Sequence, residues 1–175
     1  MHCGILQFPL MFAKSQQLQI RVTPEQKAEL RNLARAAGQD VSTYVLSRAM
    51  PAAMVRFGEI VRALRDEEDQ RFNLAELNDL LSRLTGTQLT DAVDVAPCEV
   101  WQLSPLIRNY VAAMVELAAH QRGVPAPRWV EEVAPLEDPH FATPLSSLRL
   151  HLLKESPVPF KRRNIYVDSA VGDRV

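Results

Sequence analysis

At 175 residues, with a formal net charge of −1 and 47% hydrophobic side chains, the chain can hold one small module and one further compact domain. No apolar run approaches a bilayer span, and two cysteines, Cys3 and Cys98, are too few to argue for a disulfide framework, as in a bacterial-type cytosolic protein. The near-neutral total hides an asymmetry: residues 1–56 hold seven Lys or Arg against three Asp or Glu (+4), and residues 57–175 hold 13 against 18 (−5).

The opening run Met1 to Phe12 is apolar but short, lacks a basic start and is broken by Pro9, so it is a poor signal peptide. Residues 1–13 read as a disordered leader, or as a mis-assigned start with Met11 as the true one. From Gln17 the pattern changes. Leu18, Ile20 and Val22 alternate with Gln17, Gln19 and Arg21, the period of a strand with one apolar and one hydrogen-bonding face. Thr23 then suits a helix cap, Pro24 its first position, and Gln26 the spacing of a reciprocal capping box. In the helix that follows, Ala28, Leu30, Leu33, Ala34 and Ala37 form the apolar side, with Lys27, Arg31 and Arg35 facing water. Gly38 fits the left-handed residue after the last turn. Ser42 is the expected cap of a second helix that buries Tyr44, Val45 and Ala49 before Pro51 interrupts it.

A lone six-residue strand cannot satisfy its own ladder, and about 35 residues cannot enclose a core. Two copies pairing antiparallel solve both problems. Leu18, Ile20, Val22, Leu30, Leu33, Tyr44 and Val45 then form a dimer core, and Gln17, Gln19 and Arg21 of both chains line the outside of a two-stranded ribbon. Such a ribbon fits the major groove, where Gln pairs with adenine and Arg with guanine. The amides at the start of the second helix, near Ser42 and Thr43, suit a phosphate oxygen. In order and spacing, residues 16–50 resemble the ribbon-helix-helix family of bacterial repressors and antitoxins. The resemblance implies base contacts at Gln17, Gln19 and Arg21, phosphate contacts at Ser42 and Thr43, and a homodimer on a double-stranded DNA operator. Many relatives carry further cations on the strand, so two glutamines and one arginine imply modest affinity per dimer.

The remainder reads as mainly α, an all-helical or mostly helical domain with room for a short terminal strand. A helix is expected from about Ala52 through Asp66, with Met54, Phe57, Ile60, Val61 and Leu64 at helical spacing. The acidic run Asp66 to Asp69 reads as a solvated loop or an electrostatic docking patch. Asn73 and Glu76 give a capping signal for a leucine-rich helix that Gly86 ends, completing a helical extension over 52–86. Residues 87–103 read as a connector. Ser104 and Pro105 open a clear helix that Gly123 stops, within a helical partner-binding region spanning 104–175. Short helical pieces follow, among them Trp129 to Ala134, and Thr143 with Pro144 starts a last helix through Leu148, Leu152 and Leu153.

The closing stretch carries Pro157 and Pro159, which suggest an extended path, and then Phe160, Lys161, Arg162 and Arg163. One reading is a terminal strand, Asn164 to Asp168, docked by Phe160, Ile165 and Val167; the other is a basic motif binding a partner through Phe160, Lys161, Arg162 and Arg163. With Pro127-Arg-Trp-Val and Asp138-Pro-His-Phe, this ending resembles proteins encoded beside bacterial nucleotidyltransferase-like toxins, which implies a toxin-facing domain. No cofactor, metal-ligand or nucleophile motif is apparent, and the four histidines are scattered. His140 with His151 and Arg149 is a candidate pocket lining; surface or core histidines are the commoner outcome. An enzyme is therefore not expected. The expectation is a cytoplasmic, nucleoid-associated repressor, the antitoxin of a toxin–antitoxin module with a cognate toxin as partner. The competing one is a dimeric protein-interaction module without sequence-specific DNA binding.

Overall fold

The computed structural model describes residues 19–66, 68 and 70–168. Its internal contacts divide the chain into a small unit ending at Val45 and a larger one starting at Leu46.

In the small unit, α1 spans Pro24–Ala36. Its capping box forms as the sequence indicates: Gln26 N–H donates to Thr23 Oγ1 at 3.3 Å, and Thr23 N–H donates to Gln26 Oε1 at 3.0 Å. The helix closes on Gly38 at φ +65°. Gly38 N–H reaches Arg35 O and Gln39 N–H reaches Ala34 O, at 3.1 and 2.9 Å, a Schellman closure that needs the left-handed residue. Next comes α2, Val41–Ala49. Its cap is Asp40 rather than Ser42: Asp40 Oδ1 accepts Thr43 N–H at 3.0 Å, and Oδ2 accepts the Thr43 hydroxyl at 2.5 Å. A carboxylate is well suited to the electropositive end of a helix, and Ser42 moves into the first turn. Gln17 and Leu18 lie outside the described residues, as does the expected leader. Gln19 to Val22 form no ladder among the described residues.

The larger unit is helical around one long central helix, α6, Pro105–Arg122. Ser104 caps it and Gly123, at φ +65°, ends it. Val111, Ala112, Ala113, Met114 and Val115 are all buried, so α6 is enclosed on every side. Before it come α3, Ala52–Ala63, α4, Gln70–Arg83, and α5, Gly86–Val93. Helix α3 packs on α4 and α5, both of which pack on α6. After it, α7, Arg128–Glu132, leads to β1, His140–Phe141. A 3-10 turn at Ser146–Leu148 runs into α8, Arg149–Glu155. Then α9, Val158–Lys161, leads to β2, Ile165–Tyr166, which pairs in parallel with β1, His140 opposite Ile165. The terminal strand is thus present but only two residues long, and Phe160, Ile165 and Val167 dock it in the core as expected.

Several boundaries differ from those the sequence indicates. Helix α4 starts at Gln70, because Gln70 and Asn73 donate their side-chain amides to Leu64 O and Ala63 O at the end of α3. Glu76 pairs with Arg56 instead of capping. Gly86 opens α5 rather than ending α4; Thr85 and Gln88 form the capping box there, and a Cβ on Gly86 would lie 2.9 Å from Val124 Cγ1. The expected connector 87–103 therefore contributes Leu89, Ala92, Val93, Val100 and Leu103 to the core. The helix foreseen from Thr143 starts later and is not the last, and only its Leu152 is buried. The path at Pro157 and Pro159 is helical, not extended, because both prolines sit at the cap and first turn of α9, where a missing N–H costs nothing.

Candidate nucleic-acid interface

Gln19 and Arg21 are exposed, and so are the apolar residues between and beyond them: Ile20 is 61% exposed and Val22 42%. Leu33 is exposed, while Leu30, Tyr44 and Val45 are half-buried; Ala34 is buried. The apolar side of the small unit is therefore largely open in a single chain. Fully burying one such side chain contributes about 1.5–3 kcal/mol, so each of these residues favours association of this side with a partner.

Lys27, Arg31 and Arg35 follow one another at four-residue spacing on α1, forming an exposed cationic row. Glu25, in the first turn, is held below the usual carboxylate range by its own backbone N–H and then by the Thr23 hydroxyl. At the start of α2, Ser42 is exposed, but Thr43 gives both its N–H and its hydroxyl to Asp40. The expected phosphate clamp at Thr43 therefore carries a carboxylate of the chain itself. The sequence holds the signal: Asp40 stands three residues before Thr43, the spacing of a cap.

The four residues of the C-terminal basic motif separate. Phe160 is fully buried, edge-on to Tyr110 at 5.9 Å. Arg163 is also buried: its guanidinium donates to Glu116 Oε2 at 3.1 Å, Val130 O at 2.9 Å and Val133 O at 3.2 Å. Both are parts of the fold, so neither lies on a surface a partner can reach. Lys161 Nζ donates to Lys154 O at 2.6 Å, and the exposed Arg162 pairs with Glu116 at 3.2 Å. His140, Arg149 and His151 each have their own surroundings. His140 meets Tyr110 edge-on at 6.0 Å, and burial lowers its pKa. Arg149 lies 5.0 Å over the Phe141 ring, and His151 is exposed.

Two hollows instead flank α5, one of about 370 Å³ beside Met54, Asp91 and Asp94 and one of about 220 Å³ beside Val93, Val124 and Arg128. Among the described residues no group of three His, Cys, Asp or Glu is placed to hold a metal ion. Among the same residues no helix is long and apolar enough to cross a membrane.

Residues 13–89 match the family model described as NikA-like, Mobilization protein NikA, a ribbon-helix-helix family. The match covers under half of the chain. It extends past the ribbon-helix-helix segment read from the sequence, through α3 and α4 into α5. No curated protein and no solved structure matches the chain.

Proposed function

We propose that this chain is a dimeric, sequence-specific DNA-binding protein of the mobilization type, acting on DNA in the cytoplasm as a binder rather than an enzyme. The observation that carries the reading is the match of residues 13–89 to the NikA-like mobilization-protein family model. Three features of the small unit support it. Polar and apolar residues alternate from Gln19 to Val22; Ile20, Val22 and Leu33 remain exposed in one chain; and Lys27, Arg31 and Arg35 form a cationic row. In this reading, Gln17 to Val22 pair with the same segment of a second copy, and Gln17, Gln19 and Arg21 read base edges in the major groove. Ser42, at the start of α2, approaches a phosphate. Nothing observed favours an antitoxin role or a toxin partner, and the mobilization reading takes their place.

The test is fluorescence anisotropy of the full chain on DNA flanking its own coding sequence, with random duplex as competitor, at fixed salt. The expected result is a strong preference for one flanking fragment. Arg21→Ala should weaken that specific binding by about 1–3 kcal/mol and leave the dimer intact. Equal affinity for every fragment and for random duplex would overturn the reading.

A further inference from the structure

The densest run of exposed aliphatic side chains described in the larger unit lies on and around α8. Leu145, Leu148, Leu150, Leu153 and Val158 are all exposed, Leu150 at 65%. Their segment is nonetheless firmly held. Leu152 is buried, and Ser156 Oγ lies 2.6 Å from Leu152 O and accepts Val167 N–H at 2.9 Å. Arg149 stacks on Phe141, and Lys161 clasps the end of α8 through Lys154 O. These leucines are thus displayed on an anchored element.

Charge identifies what would cover them. Residues 145–162 carry Arg149, Lys154, Lys161 and Arg162 against Glu155, and although Glu116 of α6 offsets Arg162 the segment stays basic, whereas residues 57–175 as a whole are acidic, with 13 Lys or Arg against 18 Asp or Glu. An apolar surface rimmed by cations is complementary to an apolar segment rimmed by carboxylates. A second copy is disfavoured, because a two-fold contact would set this basic patch against itself. Nucleic acid would leave five aliphatic side chains against phosphate. A lipid surface calls for cations segregated from the apolar face, whereas Leu150 and Lys154 are neighbours four apart on α8.

We infer that α8 and its flanks form a docking surface for an acidic amphipathic helix of a different protein, with Leu150 and Leu153 as its apolar anchors and Lys154 as its charge reader. The inference is independent of the DNA reading.

The probe is a fluorescein-labelled helical peptide with leucines three and four positions apart and glutamates elsewhere, titrated with the full chain; a second peptide has lysines in place of the glutamates. The glutamate peptide should bind and the lysine peptide should not. Leu150→Ser combined with Leu153→Ser should weaken binding about tenfold or more, as loss of buried leucine contact requires. Lys154→Glu should weaken it similarly, which separates charge reading from any loss of fold, and circular dichroism and DNA affinity should be unchanged in both variants. Failure of the glutamate peptide to bind, or equal binding by these variants, overturns the proposal. So does a variant-sensitive association with phosphatidylglycerol vesicles in place of the peptide, or a change in oligomeric state on removing the leucines.

Discussion

Arg163 Nη2 donates to Glu116 Oε2 at 3.1 Å across 47 residues of sequence, and the same guanidinium takes up the carbonyls of Val130 and Val133. One side chain thereby ties the residues before β2 to α6 and to the end of α7. Removing only the acid leaves a buried cation short of its counter-charge. Glu116→Ala should therefore cost about 3 kcal/mol in urea unfolding. Its second partner, Arg162, is largely exposed and adds little. A loss below about 1 kcal/mol, the range of exposed pairs, would show that Arg163 is not held through its charge.

Gly86→Ala ought to stabilise a helix on propensity alone. Here the added methyl group would meet Val124 Cγ1 at 2.9 Å, so overpacking should outweigh propensity and the variant should lose about 1–3 kcal/mol. Combining it with Val124→Ala should recover part of the loss. A thermal midpoint that rises in the single variant would contradict the close approach.

Burial against Tyr110 holds the His140 pKa below its ordinary value of 6.5. As pH falls, the unfolded chain takes up this proton before the folded one does. The contribution is therefore complete above about pH 6.5 and is lost progressively below it. Between pH 7 and 5, the melting temperature of His140→Gln should fall less than that of the parent. Parallel slopes would show that His140 is not linked to folding.

Asp40 places a carboxylate at the start of α2, where the DNA reading puts a phosphate. Asp40→Asn keeps a capping oxygen and removes the charge. DNA affinity at low salt should rise by about 1 kcal/mol, roughly fivefold, and the gain should shrink as salt screens it. An unchanged affinity in anisotropy titrations would place the phosphate backbone elsewhere.

Ile20→Ser combined with Val22→Ser should convert the proposed dimer to monomer in sedimentation velocity, while the larger unit keeps its thermal transition. The two residues are exposed in one chain, so any loss on replacing them reports on the partner. A persistent dimer would move the interface away from the strand.

The helices legible in the sequence were those whose ends are written in adjacent residues. Thr23, Pro24, Gln26 and Gly38 bracket α1, and Ser104, Pro105 and Gly123 bracket α6. Helix α5 is hidden in the sequence because Gly86 reads as a stop, although Thr85 and Gln88 repeat the capping box of α1. Helix α9 is hidden because two prolines suggest extended chain unless the first turn is already known to start there. Arg163 belongs to a run of three cations that sequence cannot tell apart; Glu116, which distinguishes it, comes from a distant helix. Of the strand expected to read DNA, Gln19, Arg21 and their apolar neighbours are placed on an exposed segment, but a ladder with a second copy lies outside any single chain.

The matched segment ends at residue 89, in the middle of α5. Leu89 is buried there with Ala92 and Val93 just beyond it, and Val93 O accepts the Trp129 indole N–H at 2.7 Å. Arg122, from the end of α6, donates to Leu84 O at 2.9 Å and to Ser82 O. A transplant of residues 13–89 would thus carry half a core and strand the carbonyls that Arg122 satisfies. The edge of the family match is not an edge along which the chain can be cut. Chimeras exchanging the proposed DNA-reading module should join at Met50 and Pro51, ahead of α3.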